Sequence, residues 1–223
     1  MCGRTSTADL TAASLTASFG LNQTIPFLQS YNIAPTLQIP AIREENHTRS
    51  LVSLRWGLIP HWSKDTKIAL HTFNARIETL TQKPSFRESI KSKRCIIPVS
   101  GFYEWQKLEQ GKQPYYIYRA DKQPIAFAGL WDGWVEKESG EVVESCSIVT
   151  MDANQLMTKI HHRMPAILEP EHFDVWLDPE FKEPQVLQDI LKAEEHDLEM
   201  YPVSSYVSNS RNDGEKCVEP LGG

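Results

Sequence analysis

Apolar residues along this chain fall into many short blocks, punctuated by polar and turn-forming residues. Leu10, Ala13 and Ala17 recur at helical spacing behind Ser6-Thr7-Ala8-Asp9, a stretch that resembles a capping box. A first helix is therefore expected over about residues 7–18, stopping near Gly20. Tyr31-Asn32-Ile33-Ala34-Pro35-Thr36 reads as a loop, because Pro35 holds Ala34 out of the helical region. Alternation at Leu37–Arg43 and Leu51–Trp56, joined by the polar turn Glu44-Glu45-Asn46-His47, predicts paired strands. Arg55–Trp62 (RWGLIPHW) reads as a loop carrying large apolar side chains, which are either core plugs or a ligand surface.

Further on, residues 69–74 look extended, and a short helix is expected around Ser85–Lys91. Cys95–Val99 is a buried-strand run that continues through Ser100-Gly101-Phe102-Tyr103-Glu104-Trp105. Strand patterns recur at Pro114–Arg119, Ile125–Trp131, Ser145–Thr150, Ala166–Leu168 and Leu198–Val203. Asp152 is placed to cap a helix reaching about Ile160, and residues 170–177 and 184–195 look helical. Many short strands with scattered helices indicate an α+β fold, its core a strongly bent mixed or antiparallel sheet approaching a barrel. Residues 1–223 are expected to form one domain. A P-loop, a G-x-G-x-x-G and internal repeats are all absent from the sequence.

Composition narrows the class. The 223 residues are 40% hydrophobic and 23% charged, with no apolar run of membrane-spanning length and no signal-peptide pattern. A cytoplasmic protein with no membrane partner is expected. The four cysteines are far apart, without C-x-x-C or zinc-ligand spacing, so neither a metal nor another cofactor is expected. The net charge of −6 argues against a nucleic-acid partner until its distribution is considered. Residues 169–200 hold eleven Asp/Glu against two Lys, whereas residues 1–168 hold nineteen Lys/Arg against fifteen Asp/Glu. The acidity is thus confined to one segment, which permits a basic face elsewhere, with the acidic segment away from it.

Candidate chemistry begins at Met1-Cys2-Gly3-Arg4. Removal of Met1 would leave Cys2 with an amine and a thiol on adjacent carbons, able to condense with an aldehyde and close a five-membered thiazolidine. Both groups suit neutral pH, with pKa values of roughly 7.7–8.0 and 8.5. Taken alone, position 2 reads as arbitrary. Glu104 lies between Tyr103 and Trp105, where aromatic surroundings disfavour its charge and suit it to proton transfer. It reads equally as an outward-facing residue of an alternating strand. His161 is a neutral-pH acid/base or a satisfied structural histidine. Asn74 and Arg76, two apart, share one face of an extended segment, with an ion pair to Glu78 the plainer role for Arg76.

MCGR (1–4), YNIAPT (31–36), RWGLIPHW (55–62), NARIET (74–79), CIIPVSGFYEW (95–105), IVT (148–150), IHHRMPAIL (160–168) and PVS (202–204) together resemble the SOS-response-associated peptidase (SRAP) family. The resemblance spans nearly the whole chain in matching order. It implies a sensor and shield of abasic sites in single-stranded DNA, part of the SOS response to DNA damage, that forms a covalent DNA–protein crosslink. The family's N-terminal cysteine maps onto Cys2, its asparagine onto Asn74, its glutamate onto Glu104 and its histidine onto His161. Arg4, Arg76 and Arg163 become candidates for flanking phosphates, and Trp62, Pro35 and Trp105 for base stacking or wedging. Ser63 stands where family members often carry a second aromatic. A monomer is expected, nucleoid-associated when engaged. The peptidase label fits self-removal of Met1 or later release of the crosslink. Two other classes compete, an N-terminal-nucleophile amidohydrolase of the glutamine amidotransferase type and a non-covalent single-strand-binding module. The first commonly uses an Asn-Gly pair, and this chain has none.

Overall fold

A computed structural model describes residues 2–22, 25–27, 29–191 and 196–222. In chain order the strands are β1 (Thr5–Ser6), β2 (Gln38–Glu45), β3 (Thr48–Trp56), β4 (Asn74–Arg76), β5 (Arg94–Val99) and β6 (Gly101–Lys107). They continue with β7 (Lys112–Arg119), β8 (Ile125–Val135), β9 (Val142–Asp152), β10 (Arg163–Pro165) and β11 (Leu198–Pro202). The helices are α1 (Ala12–Phe19), α2 (Ser89–Ser92), α3 (Phe173–Leu177) and α4 (Pro184–Asp189), with short 3-10 turns between elements.

The larger sheet closes on itself through β9, β3, β2, β5 and β8, with β8 pairing back to β9. Only the β3–β9 seam of this ring is parallel (Arg55↔Ser145, Trp56↔Cys146). The barrel so formed bears out the expectation of a bent sheet approaching closure. Closure leaves no open edge on the ring. Its interior is filled by Ile39, Leu54, Ile97, Phe127, Ile148 and neighbours, all fully buried or nearly so. β4 and β10 attach to β9 outside the ring. A four-stranded sheet in the order β1-β6-β7-β11 lies against this barrel.

The long apolar run at 95–105 is two strands in different sheets. β5 pairs with β8 inside the barrel, whereas β6 pairs with β1 and β7 in the second sheet. The corner is at Ser100-Gly101. A Cβ on Gly101 would lie 2.5 Å from the Tyr116 ring and 2.6 Å from the Ile117 carbonyl, so only hydrogen fits there. Beyond the corner β6 alternates. Phe102 packs edge-on against Phe127 in the barrel core, while Tyr103 joins Tyr116 in a separate aromatic cluster outside it. Glu104 follows Phe102 onto the inner face, and Trp105 follows Tyr103 onto the outer one.

Local chemistry accounts for the element ends. Asn46 and His47, both at positive φ (49° and 58°), form the two-residue hairpin between β2 and β3, whose twist suits a left-handed pair. Helix α1 starts later than the pattern suggests, at Ala12, because Thr11 and Ser14 form the reciprocal capping box. It stops at Gly20 in the left-handed conformation. Two expectations are corrected. Residues 67–70 form a 3-10 turn in place of a strand, with Thr72 Oγ1 donating to Leu58 O (2.6 Å) and Ile68 O (2.9 Å). The helix foreseen from Asp152 is only the 3-10 turn Met157–Lys159, capped by Asn154 Oδ1 (3.0 Å), since the Asp152 carboxylate is taken by Arg163. The expected helix 184–195 is described only as Pro184–Asp189; residues 192–195 lie outside the described residues.

Gly101→Ala should lower the unfolding free energy by about 1–3 kcal/mol, through overpacking against Tyr116 and Ile117. Urea denaturation followed by circular dichroism measures it, and an unchanged midpoint would show that the corner has room.

Candidate functional site

The start of the chain is held as a strand. Thr5 and Ser6 face Phe102 and Gly101 across β6, and Thr5 exchanges backbone hydrogen bonds with Ile33 on its other side (3.0 and 2.8 Å). Tyr103 N donates to Arg4 O at 3.0 Å, which carries the same register one residue further. Continuing it sets Gly3 opposite Glu104. Cys2 is fully buried, and its carbonyl accepts a 2.7 Å hydrogen bond from Asn74 Nδ2. Asn74 opens β4, whose parallel pairing with β9 (Asn74↔Ile148) fixes it in place. Cys2 is thus held directly from β4 and, through its neighbour Arg4, from β6.

Charge links the other two groups to it. Glu104 is 3% exposed and acts electrostatically on both Cys2 and His161. Burial, reinforced by the Glu104 charge, pushes the Cys2 thiol well above its ordinary range, so the sulfur rests as a thiol. His161 follows the 3-10 turn that ends at Lys159, and β6 reaches this segment through Gln106 Nε2 donating to Lys159 O (2.9 Å). Its Nδ1 lies 3.0 Å from Arg163 N and 3.2 Å from Arg163 O. A backbone N–H can only donate, so neutral His161 accepts at Nδ1 and carries its proton on Nε2. Burial lowers the proton affinity of His161 and the Glu104 charge opposes that. Cys2, Asn74, Glu104 and His161, far apart in sequence, therefore converge. A thiol, a carboxylate and an imidazole in a dry site can move protons at one carbon centre.

The six candidates for nucleic-acid contact divide. Trp62 is 50% exposed and Arg76 is exposed, and Arg76 makes no ion pair among the described residues. Pro35 is half-buried in its turn. Arg4 stacks over Trp105 (5.7 Å), but one of its nitrogens also donates to Asn32 Oδ1 (2.8 Å) and Val207 O (2.6 Å). Trp105 in turn donates to Ser208 Oγ (3.0 Å). Arg163 is corrected as a phosphate ligand. It is 4% exposed, and its terminal nitrogens are taken by Glu78 (2.6 and 3.1 Å), Asp152 (2.7 Å) and Thr150 O (2.8 Å). Glu78, the partner considered for Arg76, belongs to Arg163. The acidic segment is not wholly remote, since Gln188 of α4 donates to Ile77 O beside Arg76 (2.8 Å).

Two positioning residues escaped the sequence reading. Buried Asn32 accepts from Arg4 and has its amide nitrogen within reach of Val207 O, Asn209 O and Asn212 O (2.7–3.3 Å), tying the late loop to the chain start. Its place inside YNIAPT was the available signal. Buried Asp132 accepts from His61 N (2.9 Å), lies 3.1 Å from His61 Nδ1, and takes Lys93 Nζ (2.5 Å) on its other oxygen. It anchors the loop that presents Trp62, and nothing local in the sequence marks it. Burial would raise the Asp132 pKa, but hydrogen bonds from Lys93 and His61 outweigh it and hold the carboxyl below its usual range. Among the described residues no group of three His, Cys, Asp or Glu could hold a metal, and no helix is long and apolar enough to cross a membrane.

Comparison with known proteins places this arrangement. Residues 1–210 match the family model for SOS response associated peptidase (SRAP). The abasic site processing protein YoqW of Bacillus subtilis (strain 168) is 42% identical over 206 residues, covering 90% of this chain and 92% of that protein. The abasic site processing protein HMCES of Gallus gallus is 34% identical over 224 residues, covering 86% of this chain and 66% of that protein. Among solved structures, a protein from Bacteroides thetaiotaomicron superposes with a TM-score of 0.88 at 32% identity, over 99% of this chain and 100% of that one. One from Bordetella bronchiseptica gives 0.79 at 25% identity, over 91% and 100%.

Burial pushes the Glu78 carboxyl up, but the Arg163 hydrogen bonds and charge outweigh it, so its folded pKa is depressed. A depressed carboxylate stabilises above its unfolded pKa of about 4.3 and loses that contribution as pH falls through the folded value. Because Glu78 is nearly half exposed, Glu78→Gln should cost only about 0.5–1 kcal/mol between pH 5 and 8. Denaturation curves should show that difference closing below pH 4; a gap that persists there would reject the ion pair as its source. Asp132→Asn should cost about 1.5–3 kcal/mol, as expected for hydrogen bonds to a buried charge, and a loss below 0.5 kcal/mol in the same assay would show the Trp62-loop anchor to be idle.

Proposed function

Because the chain belongs to the SOS response associated peptidase (SRAP) family, we propose that it senses and shields abasic sites in single-stranded DNA, through a covalent bond made by Cys2. The observation that carries this reading is the convergence on buried Cys2 of Asn74, by contact, and of Glu104, by charge, with His161 in the same field. The names of the bacterial and vertebrate relatives, abasic site processing proteins, support the substrate.

The reaction needs Met1 removed, since only then does Cys2 present an amine beside its thiol. An abasic deoxyribose is mostly a closed hemiacetal. His161 donates a hydrogen bond to the ring oxygen and helps open the sugar to its C1′ aldehyde. The Cys2 amine adds to that carbon to give a carbinolamine, which loses its hydroxyl as water with proton transfer through Glu104. The Cys2 sulfur then adds to the imine carbon and closes the thiazolidine, its proton passing through Glu104 to the ring nitrogen. With the imine consumed, the electron sink that would promote β-elimination and strand cleavage is gone. Asn74 fixes the Cys2 carbonyl and thereby aims the amine and the sulfur. The thiol starts protonated, so an adjacent base must take its proton as the ring closes, and Glu104 is suited to that.

Trp62, Pro35, Trp105, Arg4 and Arg76 form the DNA-facing set, with stacking from the rings and phosphate contact from exposed Arg76. Arg4 contributes by stiffening Trp105. The chain acts as a monomer in the cytoplasm, at the nucleoid when engaged. The peptidase label fits cleavage of the Met1–Cys2 bond by the same thiol and carboxylate.

Intact-mass spectrometry and denaturing gels after incubation with an abasic single-stranded oligonucleotide test this. The wild type should lose Met1 and gain the oligonucleotide mass less one water. Cys2→Ala should give no denaturation-resistant adduct, and an undiminished one would sink the mechanism. Glu104→Gln should slow adduct formation by roughly 100-fold or more without unfolding the protein, and an unchanged rate would return Glu104 to a structural role.

A further inference from the structure

The His161 ring does not stand alone. His162, exposed at the surface, stacks on it with centroids 4.4 Å apart and planes at 24°. We propose that His162 is a positioning residue for this reaction, its stacked ring holding the His161 imidazole in the plane that turns Nε2–H toward the sugar. The inference rests on the crosslinking role given to His161.

Burial and the His162 charge both act to lower the proton affinity of His161. Among the described residues, Glu104 on β6 favours its protonation, whereas the charge of a terminal amine opposes it. Arg163 offers His161 only its backbone, because its guanidinium is bound to Glu78 and Asp152. A protonated His161 would have to give up the Arg163 N–H and turn to the Arg163 carbonyl at 3.2 Å. Keeping His161 neutral avoids that exchange and leaves Nε2–H as a fixed donor toward a sugar oxygen.

The test compares wild type, His162→Phe and His162→Gln, titrating the His161 ring by NMR in protein without DNA and then measuring the pH profile of adduct formation. Removing the His162 charge, one of the causes that lower it, should raise the His161 pKa in both variants. The acid limb of the rate profile should move up with it, so that at the midpoint pH of the wild-type limb His162→Phe reacts more slowly than wild type. Its plateau at high pH should be kept, because phenylalanine still stacks. A His161 titration that is unmoved in the variants would overturn the proposal, and so would an acid limb that fails to follow it. Absence of any wild-type adduct, with the His161 shift present, would instead remove the crosslinking reading and leave the coupling of the two rings standing.

Discussion

The site depends on a strand two residues long. β1 has a backbone partner on each flank, Ile33 on one and β6 on the other, and the Tyr103–Arg4 hydrogen bond extends that pairing toward the chain start. Chain ends usually fray, since few contacts offset the entropy of ordering them. Here main-chain hydrogen bonds with fixed register do the ordering, and each contributes only about 1 kcal/mol net. Their value lies in geometry. A slip of one residue would turn every side chain of the segment to the opposite face and carry Gly3 off its place opposite Glu104.

β6 serves two environments at once. Its inner face carries Phe102 into the barrel core and Glu104 into the electrostatic field of Cys2, while its outer face carries Tyr103 and Trp105 into an aromatic cluster closed by the late loop. The Gly101 corner makes this division, by moving the chain from one sheet to the other within a single residue of close approach. The inner environment is dry. A thiol is held protonated there and an imidazole is disfavoured as a cation, so electrostatic terms between them are stronger than they would be in water. In the proposed function the outer environment supplies the surface on which rings and guanidinium groups meet a strand.

Much of the fold was legible because its signals are local. The Asn46-His47 turn, the Gly20 helix stop and the strand blocks each follow from a few adjacent residues. What was misread depends on distant partners. Nothing between Cys95 and Trp105 marks a change of sheet, since both strands are buried and the run reads as continuous. Asp152 looked like a helix cap until Arg163, eleven positions on, claimed its carboxylate. That same pairing withdrew Arg163 from the DNA-facing set. Cys2 and Glu104 became candidates through the family resemblance, since alone position 2 read as arbitrary and Glu104 equally as an outward-facing strand residue. Asn32 and Asp132 act through partners 28 to 180 and 39 to 71 positions away, and local pattern is blind to such distances.

The short first strand also bears on how the fold could be rearranged by evolution or by design. Most barrels accept new termini at surface loops, because their old ends can be joined without loss. In the proposed chemistry this one cannot, since the amine exists only where the chain begins and β1 sets that beginning inside the molecule. The order of the strands is consequently tied to the direction of synthesis. A circular permutant could retain every packing contact and still lack the reactive group.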